Sequence, residues 1–434
     1  MRGSFEGVGI VLHREGDTTY VGQVMSGGPS DGVGLLPGDM IVSVDGERVS
    51  GVGMPSDSVV ARLRGPRHSR VKVLVSRRDG EHEYTIRRGV VERQSLPYSG
   101  MLDDTTGYIL LSTFATTSYD EFHNALWKLK GQGMRHLIFD LRGNGGGSLA
   151  DAVGIANELL PTGSLIVYTQ GEHSRRHDVK ASFGGGFTKG RVTVLIDESS
   201  ASASEVVSGA LQDNDRATIV GRRSFGKGLV QTDFKLKDGS SVLLTTARYY
   251  TPSGRCIQRP YDDGTEEYYR SYFEQLVEET YADSVVTTVN DSTPYYTTGG
   301  RIVYGGGGIL PDRVLPYRKD TSFVYFNQLQ NSGLMNRVAF GYVRDNVESL
   351  MQRYADEDVF CHKFAVPEAL VDELVQRAEQ AGIGRDSRSL ATQRRLIKNR
   401  LKAYIAQSLY GDGALYRVML DEDEDLRQVR GNKQ

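Results

Sequence analysis

A multi-domain α+β chain is predicted, with a small mostly-β domain first, a layered α/β core next and a helical C-terminal domain last. Residues 5–90 hold short β-branched segments of alternating polarity, separated by Gly, Pro and Asp turns. From about residue 107, strand-like and helix-like segments alternate, which signals α/β layering. From 319 onward the patterns are amphipathic and helical, as in 366–380 and 392–409. The expected division is therefore 1–92, 93–318 and 319–434.

In the first domain, strands are expected at 7–12, 19–24, 40–44, 71–75 and 83–86, with a short helix ahead of Gly34. In the core, apolar runs predict strands at 107–111, 136–140, 164–169, 191–196, 217–220 and 241–247. Helical spacing marks 119–131, 149–160 and about 202–213. Residues 258–305 are rich in Tyr, Asp, Thr and Gly with weak periodicity, and read as a long irregular insertion.

Composition narrows the function classes. Hydrophobic content of 38% and charged content of 25% are those of a globular protein. No apolar run approaches the roughly 20 residues that a membrane-spanning helix needs. A net charge of -3 with mixed signs offers no basic footprint, so nucleic acid is not expected as a partner. Cys256 and Cys361 lack any CxxC or Cys/His ligand spacing, so no metal or other cofactor is expected; whether they pair is open. Met1-Arg2-Gly3-Ser4 runs straight into a strand-like stretch without a basic and apolar leader. The mature protein is then either cytosolic or exported by a segment outside this sequence.

Three segments past apolar strands carry candidate chemistry: Asp140-Leu141-Arg142-Gly143-Asn144-Gly145-Gly146-Gly147, Asp197 to Glu205, and Ser224-Phe225-Gly226-Lys227-Gly228. In layered α/β folds, sites collect at such strand ends. A serine opening a helix has backbone N–H groups and the positive helix end beside it, and both stabilise an oxyanion. Ser202, among small alanines, fits that position. Plain capping also fits, with Ser200 as N-cap and Glu205 as a first-turn acid. A serine needs a base, and no Gly-x-Ser-x-Gly elbow surrounds Ser202. His136, His173 and His177 do not flank these segments in sequence. Lysines in apolar surroundings serve as neutral bases, and Lys227 lies between two glycines that let the backbone pass closely. Gln231, four residues on, can orient the amine.

Gly7-Val8-Gly9-Ile10 heads a strand, where backbone N–H groups form a nest for a terminal carboxylate and the strand edge takes a peptide as an added strand. With Leu35-Leu36-Pro37-Gly38-Asp39 and Val42-Ser43-Val44-Asp45-Gly46, it resembles the PDZ family over about residues 4–90. Ser202, Lys227 and Gln231, with the Gly-rich segment upstream, resemble the carboxyl-terminal processing, or tail-specific, serine peptidases. Ala247-Arg248-Tyr249-Tyr250-Thr251-Pro252 and Gly307-Gly308-Ile309-Leu310-Pro311-Asp312 extend the likeness to about residue 316.

That resemblance implies a ClpP/crotonase-like core in which Ser202 is the nucleophile, Lys227 the general base and Gln231 its support. It implies an oxyanion hole from the N–H groups of Ala203 and Gly147. It also implies protein substrates with apolar free C-termini, captured at Gly7, Val8, Gly9 and Ile10, and a bacterial periplasmic location. Gating by the PDZ domain, with Arg64 as a contact, belongs to the same picture, and a homo-oligomer is left open. Ser199 stands where the family usually has Gly, and no helical segment precedes the PDZ stretch in this sequence.

Two other readings compete. Gly221 to Lys227 matches Gly-x4-Gly-Lys of a phosphate loop, but Gly228 lacks the metal-binding hydroxyl and a strand is expected next. The Gly143–Gly147 run hints at a dinucleotide fingerprint, but Ser148 occupies the third glycine position. A catalytically silent PDZ scaffold is the remaining alternative.

Overall fold

The computed structural model describes residues 4–431 except 93, 183, 262–263, 282–292 and 317–322. The chain forms two compact units, one built on Gln94–Lys319 and one on Ser4–Arg93 together with Asp320–Gln434.

The N-terminal segment runs β1 (Ser4–Gly7), β2 (Ile10–Glu15), β3 (Thr18–Val24), β4 (Met40–Val44), β5 (Glu47–Arg48), α1 (Ser56–Leu63), β6 (Arg70–Arg77), β7 (Gly80–Arg87) and β8 (Gly89–Glu92). Its sheet has the order β2-β3-β4-β6-β7, with β5 on β4, and β1 pairs with β8. Alternation along β6 sends Val71, Val73 and Val75 inward, where they meet Val21, Ile41, Val59 and Ile86. The short helix expected ahead of Gly34 is instead a run of turns over residues 26–38. Gly27, Gly32 and Gly34 all take positive φ there, which a helix cannot use.

The middle segment runs β9 (Tyr98–Met101), β10 (Thr106–Leu110), α2 (Ser118–Gly131), β11 (His136–Asp140), α3 (Leu149–Leu159), β12 (Leu165–Gln170), β13 (His177–Lys180), β14 (Arg191–Ile196), α4 (Ala203–Asp213), β15 (Thr218–Gly221), β16 (Leu229–Lys235), β17 (Ser241–Tyr250), α5 (Gly264–Tyr281), β18 (Tyr295–Tyr296), β19 (Ile302–Val303) and β20 (Arg313–Val314). The main sheet has the order β20-β15-β14-β11-β10-β9 and is parallel except for β9. Strands covered on both faces are mostly apolar, and β10 and β14 are buried at every position but Arg191. Phe122 and Leu126 of α2, Ile155 of α3 and Val207 and Leu211 of α4 join Ile109, Leu137 and Val194 in one core. A second, antiparallel sheet has the order β13-β12-β17-β16.

The stretch expected to be an irregular insertion, about 258–305, contains the 18-residue helix α5. Tyr268 and Tyr272, one turn apart, pack on the ring of Phe225, with centroids 6.2 and 5.1 Å away. Arg255, fully buried, anchors the chain just before this stretch through Asp213 at 2.8 Å and Gln212 at 2.6 Å.

The C-terminal segment is helical: α6 (Phe323–Asn331), α7 (Leu334–Arg353), α8 (Glu357–Lys363), α9 (Glu368–Gln380), α10 (Ser387–Tyr410), α11 (Asp412–Leu420) and α12 (Glu424–Arg430). Sequence gave no reason to join it to the N-terminal segment, yet the two form one unit. His13 of β2 stacks on Phe340 of α7 with centroids 3.9 Å apart, and Arg344 pairs with Glu15 at 3.0 Å. A Cβ on Gly38, whose φ is +95°, would stand 2.6 Å from Arg344 Cα. The glycine of the Leu-Leu-Pro-Gly-Asp turn thus serves both the turn and this close approach. No described helix is long and apolar enough to cross a membrane.

Candidate active site

Three loops leave the main sheet at the C-terminal ends of its parallel strands. Asp140 ends β11 opposite Leu195 of β14, and Ile196 ends β14 opposite Gly221 of β15. The three segments singled out in sequence are thereby brought side by side.

Buried Asn144 stitches the first loop to the second. Its Nδ2 donates to the Leu111 carbonyl at 2.8 Å, and its Oδ1 accepts the Gly146 N–H at 2.9 Å. Its carbonyl oxygen accepts the Ala201 N–H at 3.0 Å and the Ser204 hydroxyl at 2.8 Å. Asp197 Oδ1 accepts the N–H groups of Gly143 and Ser199, at 2.9 and 3.0 Å. Burial pushes the Asp197 carboxyl up, while the Gly143 N–H pulls it back. Ser200 does not cap α4: its hydroxyl accepts the Asp197 N–H at 3.0 Å and donates to the Leu141 carbonyl at 2.8 Å.

Ser202 precedes the first residue of α4 with φ 56° and ψ −111°. A non-glycine residue in this region costs about 1–3 kcal/mol and persists only where its surroundings over-determine it. Glu205 is that surrounding. Its fully buried carboxylate accepts the Ser202 N–H at 2.8 Å and the Lys227 N–H at 2.8 Å on Oε2. On Oε1 it accepts the Ser224 hydroxyl at 2.6 Å and the Gly226 N–H at 2.7 Å. One side chain therefore fixes the serine turn and the lysine loop to a common point. Burial pushes the Glu205 carboxyl up, against the pull of these hydrogen bonds. Ser224 is held further by its N–H to the Ile309 carbonyl at 3.1 Å and the Ile309 N–H to its hydroxyl at 2.6 Å, so the Gly-Gly-Ile-Leu-Pro-Asp segment braces the same loop.

The N–H groups of Ala203 and Gly147 donate to no acceptor among the described residues. Between them lies Gly146, with φ +96°; a Cβ there would stand 2.8 Å from Ser202 Cβ and 3.0 Å from the Ala203 nitrogen. Such a pair of free donors beside a serine can hold an oxyanion.

The side chains are less tightly joined than the backbones. Lys227 is half-buried, and no hydrogen bond links Ser202 Oγ to Lys227 Nζ among the described residues. Gln231 is exposed on β16, just past an irregularity between Val230 and itself, opposite Thr245. No described hydrogen bond joins it to Lys227. His136 opens β11, at the other end of that strand from Asp140. Its Nε2 lies 2.9 Å from Thr193 Oγ1, and burial beside Arg191 lowers its pKa to about 4. His173 and His177 are exposed. The strand β16 after Lys227 is what the phosphate-loop reading could not accommodate.

In the other unit, Gly7 ends β1 and Ile10 opens β2, the edge strand of its sheet. Gly9 has φ +73°, and a Cβ there would stand 2.8 Å from Pro29 Cδ. The N–H groups of Val8 and Gly9 donate to nothing described. Their carbonyls are taken by the Ser30 hydroxyl at 2.6 Å and the Met25 N–H at 3.0 Å, so the turn points donors outward and acceptors inward. Arg64 lies over the Phe5 ring at 5.1 Å. Cys256 and Cys361 are both free thiols.

Residues 105–266 match peptidase family S41, residues 20–77 match the PDZ domain, and residues 325–411 match a family of unknown function. A carboxyl-terminal-processing protease of Synechocystis sp. is 36% identical over 267 residues, 59% of this chain and 61% of the relative. The carboxy-terminal processing protease CtpA of Bacillus subtilis is 31% identical over 257 residues, 59% of this chain and 54% of the relative. Among solved structures, a photosystem II D1 C-terminal processing protease shares 32% identity over 59% of this chain and 70% of that one, with a TM-score of 0.35. The chain thus spans between half and two thirds of the length of these curated relatives. It carries a peptidase family S41 domain, which holds Ser202 and Lys227, and a PDZ domain.

Proposed function

We propose that this chain is a serine endopeptidase in which Ser202 is the nucleophile and Lys227 the general base. The observation that carries the proposal is the shared anchor: Glu205 Oε2 accepts both the Ser202 and the Lys227 N–H, each at 2.8 Å. Neutral Lys227 takes the Ser202 hydroxyl proton as Oγ attacks the scissile carbonyl carbon. The tetrahedral oxyanion lies between the N–H groups of Ala203 and Gly147. As the intermediate collapses, the C–N bond breaks and the lysine ammonium protonates the leaving amine. Water then attacks the acyl-enzyme, gives its proton to Lys227, and Ser202 Oγ leaves with that proton. Gln231 supports the amine once substrate closes this side of the site.

Substrates are protein chains with apolar free C-termini, whose carboxylate is received by the nest at Gly7, Val8, Gly9 and Ile10 while the tail adds to the β2 edge. The outward N–H groups of Val8 and Gly9 support that mode. A bacterial periplasmic site of action belongs to the same proposal and rests on the family resemblance alone.

The test is cleavage of an unfolded protein with an apolar free C-terminus by the parent chain, Ser202→Ala and Lys227→Ala at about pH 8, where a lysine base works better than in acid. Loss in both variants, with parental activity rising as pH rises, is expected. Retained cleavage in Lys227→Ala would overturn the base assignment, and an inactive parent would favour the silent scaffold.

A further inference from the structure

The β16–β17 hairpin has an apolar face that nothing described covers. Residues paired directly across an antiparallel ladder point to the same face. Phe234 pairs with Val242 and Thr232 with Leu244, and the Thr232 and Thr246 hydroxyls meet at 2.9 Å on that face. Phe234, Val242 and Leu244 are 45%, 39% and 51% exposed, and Leu236 at the next alternate position is 49% exposed. The opposite face carries Gln231, Asp233, Lys235 and Thr245 along with Leu243. A contiguous uncovered apolar stripe of this kind marks an interaction surface.

Backbone and position identify the occupant. β16 is the last strand in the order β13-β12-β17-β16, so among the described residues it pairs on one side only. It starts at Leu229, two residues past Lys227. A chain added along this edge therefore continues into the loop that carries the base.

We infer that the free edge of β16, with the apolar face of the hairpin beneath it, binds an extended stretch of substrate polypeptide with apolar side chains at alternate positions. This subsite is distinct from the carboxylate nest and rests on the reading of Ser202 and Lys227 as a peptidase site. The seven residues of β16 offer about 23 Å of edge, so the subsite spans about seven residues beside the scissile bond.

Binding can be measured without cleavage in full-length Ser202→Ala, by fluorescence anisotropy with a labelled peptide of alternating apolar residues. A C-terminal amide on the probe removes the carboxylate that the nest would hold. Adding Phe234→Ser and Leu244→Ser is expected to weaken binding at least tenfold. Methylating alternate backbone nitrogens of the probe is expected to do the same on the unaltered hairpin, which needs no folding control. Equal affinity in both comparisons overturns the inference. So does a concentration-dependent dimer of the parent that the two serine substitutions dissolve, since the face would then belong to a second copy. Because the readout is binding, a parent that cleaves nothing sinks the peptidase reading separately from the subsite.

Discussion

Residues 140–228 and residues 231–244 adjoin in the same unit, yet they treat polar and apolar groups in opposite ways. In the first region, buried polar side chains tie the loops together: the Asn144 side chain makes two hydrogen bonds and Glu205 accepts four. In the second, apolar side chains stand in solvent on a two-stranded arm. On the proposed function and the inferred subsite, the difference separates two tasks. Catalytic groups must be held within fractions of an ångström, which a fully satisfied buried network does. Capturing unlike polypeptides asks for an open edge and a nonspecific apolar face, and that cannot be saturated in advance.

The largest expected effect lies in the first region. Glu205→Ala leaves four donors without their acceptor, and each unsatisfied buried group costs about 1–3 kcal/mol. Chemical denaturation should show a loss of at least about 4 kcal/mol, with cleavage falling at least about 100-fold. Near-parental activity in a folded Glu205→Ala would mean that the network does not position the site. Gly146→Ala is narrower: it forces alanine to φ +96° and crowds Ser202 and the Ala203 nitrogen. Here kcat should drop by about 100-fold with KM little changed, because an oxyanion hole acts in the transition state. An equal rise in KM would argue that Gly146 shapes ground-state binding instead.

A subtler effect comes from His136, away from the catalytic end. Its folded pKa is depressed from 6.5 to about 4, so the unfolded chain takes up the proton first. The stability it contributes is present above pH 6.5 and is lost as pH falls towards about 4. His136→Gln should flatten that part of the pH–stability curve, and an unchanged slope would assign the loss to other groups. The smallest effect is expected on the hairpin, where Phe234→Ser should move unfolding stability by no more than about 0.5 kcal/mol. A large destabilisation would show that the face is covered in solution.

Sequence made the regular elements legible because periodicity survives without context. The parallel strands carry mostly apolar runs, and the helices at 118–131, 149–159 and 203–213 carry helical spacing. α5 escaped because its periodic residues are mostly aromatic, with Tyr268 and Tyr272 one turn apart on the packed side and Tyr269 and Phe273 exposed. The turns over 26–38 escaped because glycine φ signs are not written in a pattern. At the site, motif spacing singled out the segments of Ser202 and Lys227, whose backbone N–H groups share Glu205, while no described hydrogen bond joins their side chains. Glu205 was visible only as a first-turn acid, since Ser-x-x-Glu is the ordinary signature of a helix start. Its bonds to Ser224, Gly226 and Lys227 depend on two loops meeting, which spacing along one segment does not report.

The most direct test of the Ser202 and Lys227 assignment is intact-mass and peptide mapping after treatment with a serine-acylating probe such as a β-lactone. A single adduct is expected on Ser202 of the parent chain, formed far more slowly in Lys227→Ala. An adduct on another residue, or equal labelling of Ser202 without Lys227, would contradict the assignment.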